Sequence, residues 1–108
     1  MGLYQSLYER KTIHLGHGFA ACTYDNRKTI ATFSKAYAID DWIMRHCLCL
    51  DDNETFYVIT KSEVKELTET MMGAVADGDE GIDPIDVKVL EQIYLTEEAA
   101  EYIYTRSR

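Results

Sequence analysis

The sequence predicts an α+β fold, a small antiparallel sheet packed against two to four helices, and two residue patterns support this. In the N-terminal third, apolar and polar residues nearly alternate, which is the period of a half-buried strand. After residue 34, apolar residues recur every three or four positions, which is the period of an amphipathic helix. The chain has 108 residues, no internal repeat and no long linker, so it fits a single domain over 1–108.

Four strands are expected, three of them near the start of the chain. Leu3–Lys11 carries apolar residues on both sides of its alternation, so a strand is predicted and a short helix stays open. Phe19–Tyr24 and Lys28–Phe33 are strand-like runs that flank the turn-forming residues Asp25-Asn26-Arg27, and together they predict a hairpin. Phe56–Ile59 is rich in residues that favour sheets and predicts the fourth strand.

The first helix is predicted over residues 35–47, with Ser34 as its N-cap. Its buried stripe follows the spacing i, i+3, i+4, i+7 and i+8 and consists of Ile39, Trp42, Ile43, His46 and Cys47. The charged residues assigned to its solvent side are Lys35, Asp40, Asp41 and Arg45.

The second helix is the clearest amphipathic segment and is predicted over residues 61–76. Thr60 and Glu63 have the spacing of a capping box, in which two side chains satisfy backbone groups of the first turn. The apolar residues of its buried stripe are Val64, Leu67, Met71 and Val75. The core between the two central helices is expected to consist of Ile39, Trp42, Leu67 and Met71.

The third helix is predicted over residues 84–104, with Asp83 as its cap and Pro84 in its first turn. Its buried face consists of Val87, Leu90, Ile93 and Tyr94. Either one helix runs through to about Tyr104, or Thr96 caps a separate terminal helix. Both alternatives place the C-terminal tyrosines on a helix.

The composition argues against nucleic-acid-binding and membrane proteins. The chain has 19 acidic and 11 basic residues and a net charge of −8, whereas phosphate contacts need clustered Lys and Arg. No apolar stretch approaches the roughly 20 residues that span a bilayer. Three cysteines, with no leader-like start, predict reduced thiols in a cytoplasm.

Three segments carry a family resemblance. The start Met1-Gly2-Leu3 is followed by an aromatic strand that ends in Arg10-Lys11-Thr12, and 33–43 contains an aromatic residue, a spacer and Ile-x-x-Trp. After the pair Asp51-Asp52, the segment Tyr57–Leu67 combines a strand with a Ser/Thr-x-x-Glu type of helix start. These segments resemble a group of uncharacterised small proteins found widely in bacteriophages and prophages. The matching residues of the second segment are Lys35, Ala36, Ile39 and Trp42.

The chain departs from that family pattern at two places. Asp40 and Asp41 stand where the family has His-Lys, and Asn53 stands where many members have Cys. A site built on those residues would be absent from this chain. The resemblance implies a phage-encoded accessory protein in the host-cell cytoplasm, and it implies no mechanism because no activity is established for the group.

The histidines and cysteines are the candidate metal ligands and catalytic residues, and all of them lie between residues 14 and 49. They are His14, His17, Cys22, His46, Cys47 and Cys49. Their spacing matches no structural zinc pattern and includes no Cys-x-x-Cys, so no metal and no cofactor are predicted. No catalytic residue is assigned, although a small enzyme or nucleotide-binding protein that uses the His14–Cys49 region stays an alternative.

A protein-binding surface is the leading hypothesis, because the chain combines eight tyrosines with a concentration of acidic residues near its C-terminus. Residues 77–105 contain nine acidic residues and one lysine. The predicted binding residues are Asp77, Asp79, Glu80, Asp83, Glu97, Glu98, Tyr102 and Tyr104. One of the two tyrosines is expected to be an exposed anchor.

The expected function is stoichiometric binding to a host protein, with inhibition of a host defence or of a host-takeover target as its purpose. Such a protein needs no catalytic constellation, so the sequence favours a protein that is not an enzyme. A structural homo-oligomer, with the tyrosine-rich C-terminal helix as its interface, is the other alternative.

Overall fold

A computed structural model describes residues 2–9, 11–15, 19–23, 29–96 and 101–107, and it describes side chains for 2–9, 29–96 and 101–107. Within these residues, one five-stranded sheet packs against three helices. The predicted α+β fold with an antiparallel sheet is confirmed.

The sheet contains five of the seven strands. In chain order the strands are β1 (Tyr4–Glu9), β2 (Lys11–Leu15), β3 (Phe19–Thr23), β4 (Thr29–Ser34), β5 (Leu48–Cys49), β6 (Phe56–Thr60) and β7 (Glu101–Ser107). The sheet has the order β4-β1-β7-β6-β5, and every neighbouring pair is antiparallel. Strands β2 and β3 pair with each other in a separate two-stranded sheet.

The predicted hairpin between the second and third runs is wrong in its pairing. Strand β3 pairs with β2, and β4 pairs with β1, so the two pairs are nested along the chain. The turn predicted at residues 25–27 lies outside the described residues. Alternation predicts a strand but does not select its partner. In the β1–β4 pair, Leu7 lies opposite Ala31 and Gln5 opposite Phe33, so buried residues share one face.

The three helices are α1 (Tyr37–His46), α2 (Lys61–Ala76) and α3 (Pro84–Thr96). The bounds of α2 match the prediction, and so does its capping box. The Glu63 backbone N–H donates to Thr60 Oγ1 at 3.2 Å, and the Thr60 backbone N–H donates to Glu63 Oε1 at 2.9 Å. Asp83 caps α3 as predicted, because its Oδ1 accepts a hydrogen bond from the Ile85 backbone at 2.9 Å.

The start of α1 differs from the prediction because its cap comes from a distant strand. Ala36, not Ser34, is the N-cap residue, and Lys35 before it has a φ of 57°. The Ala36 backbone N–H donates to Gln5 Oε1 at 2.9 Å, and Gln5 Nε2 donates to the Ala36 carbonyl at 3.0 Å. A side chain of β1 therefore satisfies both backbone groups where local sequence offers no cap.

The C-terminal segment is a strand, so both helical alternatives for residues 97–104 are wrong over the described part. Helix α3 ends at Thr96, and β7 lies in the centre of the sheet between β1 and β6. Pairing with two strands outweighs the helical pattern, and Tyr-Ile-Tyr-Thr is itself rich in sheet-forming residues. Tyr102 and Tyr104 are fully buried against the helices.

The core lies between the helices and one face of the sheet. The four residues predicted to join the central helices, Ile39, Trp42, Leu67 and Met71, are all buried in it. One predicted stripe position of α1 is wrong, because His46 is exposed at the end of the helix. Cys47, the next stripe position, is half-buried and packs against the core. The His46 ring stacks on Trp42 with centroids 4.3 Å apart.

Candidate functional site

A buried ion pair joins α1 to β7. Asp40 is 3% exposed, so its predicted position on the solvent side is wrong. Arg106 Nε donates to Asp40 Oδ1 at 2.7 Å, and Arg106 Nη2 donates to Oδ2 at 2.8 Å. This two-pronged contact matches the shapes of guanidinium and carboxylate and offsets the cost of burying the charges.

Two further side chains complete this network. The Tyr104 hydroxyl donates to Asp40 Oδ1 at 2.7 Å, and Gln5 Nε2 donates to the Tyr104 oxygen at 2.8 Å. Burial, together with the bond to Asp40, raises the pKa of Tyr104 well above its usual range. The hydrogen bond to Asp40 also raises the pKa of Arg106. Each charge has a fixed partner, so the network joins α1 to β1 and β7 and stabilises the fold.

Cys49 and His46 do not form a nucleophile–base pair, because each contacts a backbone carbonyl group. Cys49 Sγ donates to the Asp51 carbonyl oxygen at 3.0 Å, and His46 Nδ1 lies 2.8 Å from the Trp42 carbonyl oxygen. Over the part of the chain with described side chains, no three His, Cys, Asp or Glu residues are grouped as metal ligands. The side chains of His14, His17 and Cys22 lie outside the described residues.

Cys47 is expected to resist alkylation. Burial and the neighbouring Glu63 carboxylate raise the pKa of its thiol to about 12. The thiolate is the reactive form, so at pH 8 we expect Cys47 to react with iodoacetamide about a hundredfold more slowly than a free cysteine. Peptide mass spectrometry over a time course measures this rate, with glutathione as the reference thiol. A rate equal to that of glutathione would contradict the prediction.

The predicted acidic residues of the α2–α3 connection are exposed. Asp77, Asp79, Glu80 and Asp83 lie in a short loop that reverses the chain. Gly78 has a φ of 89°, the left-handed conformation that ends helices, and its N–H donates to the Val75 carbonyl at 3.0 Å.

Negative charge is concentrated in this loop. The last turn of α2 contains no basic residue to offset the negative end of the helix dipole, and acidic residues follow it directly. Burial, and then repulsion from Asp83, raises the pKa of Asp86. Two of these carboxylates also hold the local fold, because Asp83 caps α3 and Asp79 Oδ1 accepts a hydrogen bond from the Gly81 backbone N–H at 2.8 Å.

An apolar groove of about 320 Å³ lies between α2 and α3 beside this loop. Met72 is 46% exposed at its rim. The other lining residues are Val75, Ala76, Pro84, Val87, Lys88 and Glu91. We call this groove, together with Asp77, Asp79, Glu80 and Asp83, the acidic groove.

The structure brings together only part of the predicted binding surface. Tyr102 and Tyr104 are buried in the sheet, so the expectation that one of them is an exposed anchor is wrong. Glu97 and Glu98 lie outside the described residues. Sequence reasoning missed the apolar part of the acidic groove, and the signal for it was Met72, a large apolar residue beside the buried stripe of α2.

Comparisons with protein-family models, with curated proteins and with solved structures found no match for this chain. Among the residues that the structure describes, no helix is both long and apolar enough to cross a bilayer. Function is therefore inferred from the surfaces of the molecule.

Proposed function

We propose that this protein acts by stoichiometric binding to another protein, and that the acidic groove is the binding surface. The observation that carries this proposal is the apolar groove directly beside four exposed carboxylates. A solvated acidic loop needs no apolar neighbour, whereas a recognition site combines an apolar centre with a polar rim. A groove of about 320 Å³ is large enough for one large side chain of a partner.

The partner is a protein segment with an apolar anchor residue flanked by lysine or arginine. The carboxylates attract such a segment over a distance of about 8 Å at physiological salt and speed its association. The anchor then contributes affinity by displacing water from Met72, Val75 and Val87. Lys88 and Glu91 at the edge of the groove can select the polar groups that flank the anchor.

The biological setting follows from the resemblance to small phage proteins. In that setting the chain is a phage-encoded accessory protein, and its partner is a host protein in a defence system or a host-takeover target. Binding at a one-to-one ratio is sufficient for inhibition because no chemical step is needed. The alternative of a small enzyme depends on the His14–Cys49 region, in which the side chains of His14, His17 and Cys22 lie outside the described residues.

Capture of a partner is expected to depend on the acidic groove. The tagged protein is incubated with lysate of a bacterial host, and captured proteins are identified and quantified against it. We expect at least one host protein at a one-to-one ratio, with binding that weakens as salt rises. Changing Asp79 and Glu80 to lysine together, or Met72→Glu alone, is expected to reduce capture at least about tenfold, a loss of about 1.4 kcal/mol.

Matched controls distinguish a specific effect at the acidic groove from an effect of net charge or of exposed apolar area anywhere on the molecule. Glu66 and Glu69 are exposed carboxylates of the same helix, and their joint replacement by lysine causes the same change of net charge. Leu50→Glu alters a leucine that is 41% exposed and lies outside the groove. Both controls are expected to retain capture. Equal loss in test and control variants, or full capture by folded test variants, would exclude the acidic groove as the site.

A further inference from the structure

Strand β4 is the outer strand of the sheet and has a free edge among the described residues. It pairs with β1 on one side only. The Lys35 backbone N–H donates to the Leu3 carbonyl at 2.7 Å, which continues the register of β1 with β4. Because antiparallel strands alternate the direction of their backbone groups, Phe33 and Ala31 also face β1, and Thr32 and Ser34 face outward.

This edge lacks two of the usual protections against pairing. Natural edge strands carry charged residues or proline, which discourage contact with another strand. All six residues of β4, Thr-Ile-Ala-Thr-Phe-Ser, are uncharged and none is proline. At the opposite end of the sheet, β5 has only two residues and offers little edge.

A groove of about 300 Å³ lies between Ile30 of β4 and helix α3, and its polar lining residues are Lys88, Gln92 and Thr96. Ile30 lies at a break in the β1–β4 register and packs against the core. Ile85, Val89 and Ile93 of α3 line the opposite wall. Ile85 is 69% exposed, so a large apolar side chain stands in solvent beside an open strand edge.

We propose that β4 pairs antiparallel with β4 of a second copy of this chain, forming a two-fold dimer with one ten-stranded sheet. Outward-facing residues must oppose outward-facing residues, so Thr32 lies opposite Ser34 or Thr32 of the second copy. In the first of these registers Lys35 lies opposite Ala31 of the second copy, and in the second register it lies opposite Thr29. Neither register sets two charged residues directly against each other.

The absence of charge favours a second copy over a different strand. In a two-fold interface each residue meets residues of its own strand, so any charge near the axis would meet its like. An uncharged strand satisfies that requirement at all six positions, and a foreign partner would impose no such requirement.

The same symmetry accounts for the exposed apolar residues of α3. A two-fold axis perpendicular to the sheet keeps both helical layers on one side, so the two copies of α3 approach across the axis. Ile85 and Val89 then cover each other's grooves and lose their exposure to water. The acidic groove lies on an adjoining face of α3, and Lys88 lines both grooves. This proposal stands independently of the proposed function.

Sedimentation velocity of the purified chain over a wide concentration series tests the dimer. We expect the mass to rise with concentration from one chain of 12.4 kDa to two. Ile85→Glu puts like charges at the interface, and Thr32→Pro removes an outward N–H while keeping the bonds to β1. Each is expected to weaken dimerisation at least about tenfold. Leu48→Glu changes a leucine that is 67% exposed on the opposite edge and is expected to have no effect.

Amide hydrogen exchange provides a second measurement that needs no variant. The Thr32 and Ser34 amides are expected to be protected at high concentration and to exchange rapidly at low concentration. A single-chain mass at every concentration would overturn the proposal. So would a dimer that Ile85→Glu leaves intact with unprotected Thr32 and Ser34 amides, because its interface would lie elsewhere.

Discussion

Leu67→Ala is expected to lower the free energy of unfolding by about 2–5 kcal/mol. Leu67 is fully buried in the centre of α2, within the cluster that joins all three helices to the sheet. Removing three carbon atoms there loses their burial and leaves a cavity that the surrounding residues fill only in part. Urea denaturation followed by circular dichroism measures the change.

Glu66→Ala is the matched control for this substitution. Glu66 is the preceding residue of the same helix and is exposed, so alanine there should change the free energy of unfolding by less than about 0.5 kcal/mol. A change below about 0.5 kcal/mol for Leu67→Ala would show that its side of α2 does not contact the core.

Sequence reasoning succeeded where local signals are strong and consistent. The bounds of α2 could be predicted because a capping box, an apolar stripe and a glycine-containing loop all indicate the same segment. The start of α3 was equally clear from Asp83-Pro84, and β6 from its sheet-forming residues. At these places the chain's own neighbours supply the caps and the turn.

It failed where the decisive partner is distant along the chain. Gln5 caps α1 from 31 residues away, a contact that no local motif encodes. Strand β7 pairs with β1 and β6 through residues up to 103 positions apart, such as Tyr4 with Ser107. The helix prediction places Tyr102 and Tyr104 at a surface, whereas central pairing in the sheet buries both.

The candidate site could be predicted only in part, where it depends on local sequence. The acidic loop could be located because charge is visible in composition and loops are exposed. The apolar wall beside it depends on how α2 and α3 pack, which sets Met72 against Pro84 and Val87. The edge of β4 could not be anticipated at all, because strand order is a property of the whole sheet.

Asp40→Ala is expected to lower the free energy of unfolding by about 3–5 kcal/mol, the usual cost of removing one partner of a buried ion pair. The substitution leaves the Arg106 guanidinium partly buried without its carboxylate and removes the acceptor of the Tyr104 hydroxyl. Much of the lost stability comes from leaving the Arg106 guanidinium and the Tyr104 hydroxyl without the carboxylate that pairs with them.

Asp41→Ala is the control for that prediction, because the two aspartates are adjacent in sequence and opposite in environment. Asp41 is exposed and pairs with Arg45 at 3.2 Å within one helix, a contact worth about 0.5 kcal/mol or less. Denaturation of both variants and of Asp40→Ala/Arg106→Met measures the network directly. The double variant is expected to be more stable than Asp40→Ala alone, since it no longer leaves a charge unpaired. Equal costs for the Asp40 and Asp41 variants would contradict the assignment of Asp40 to the core.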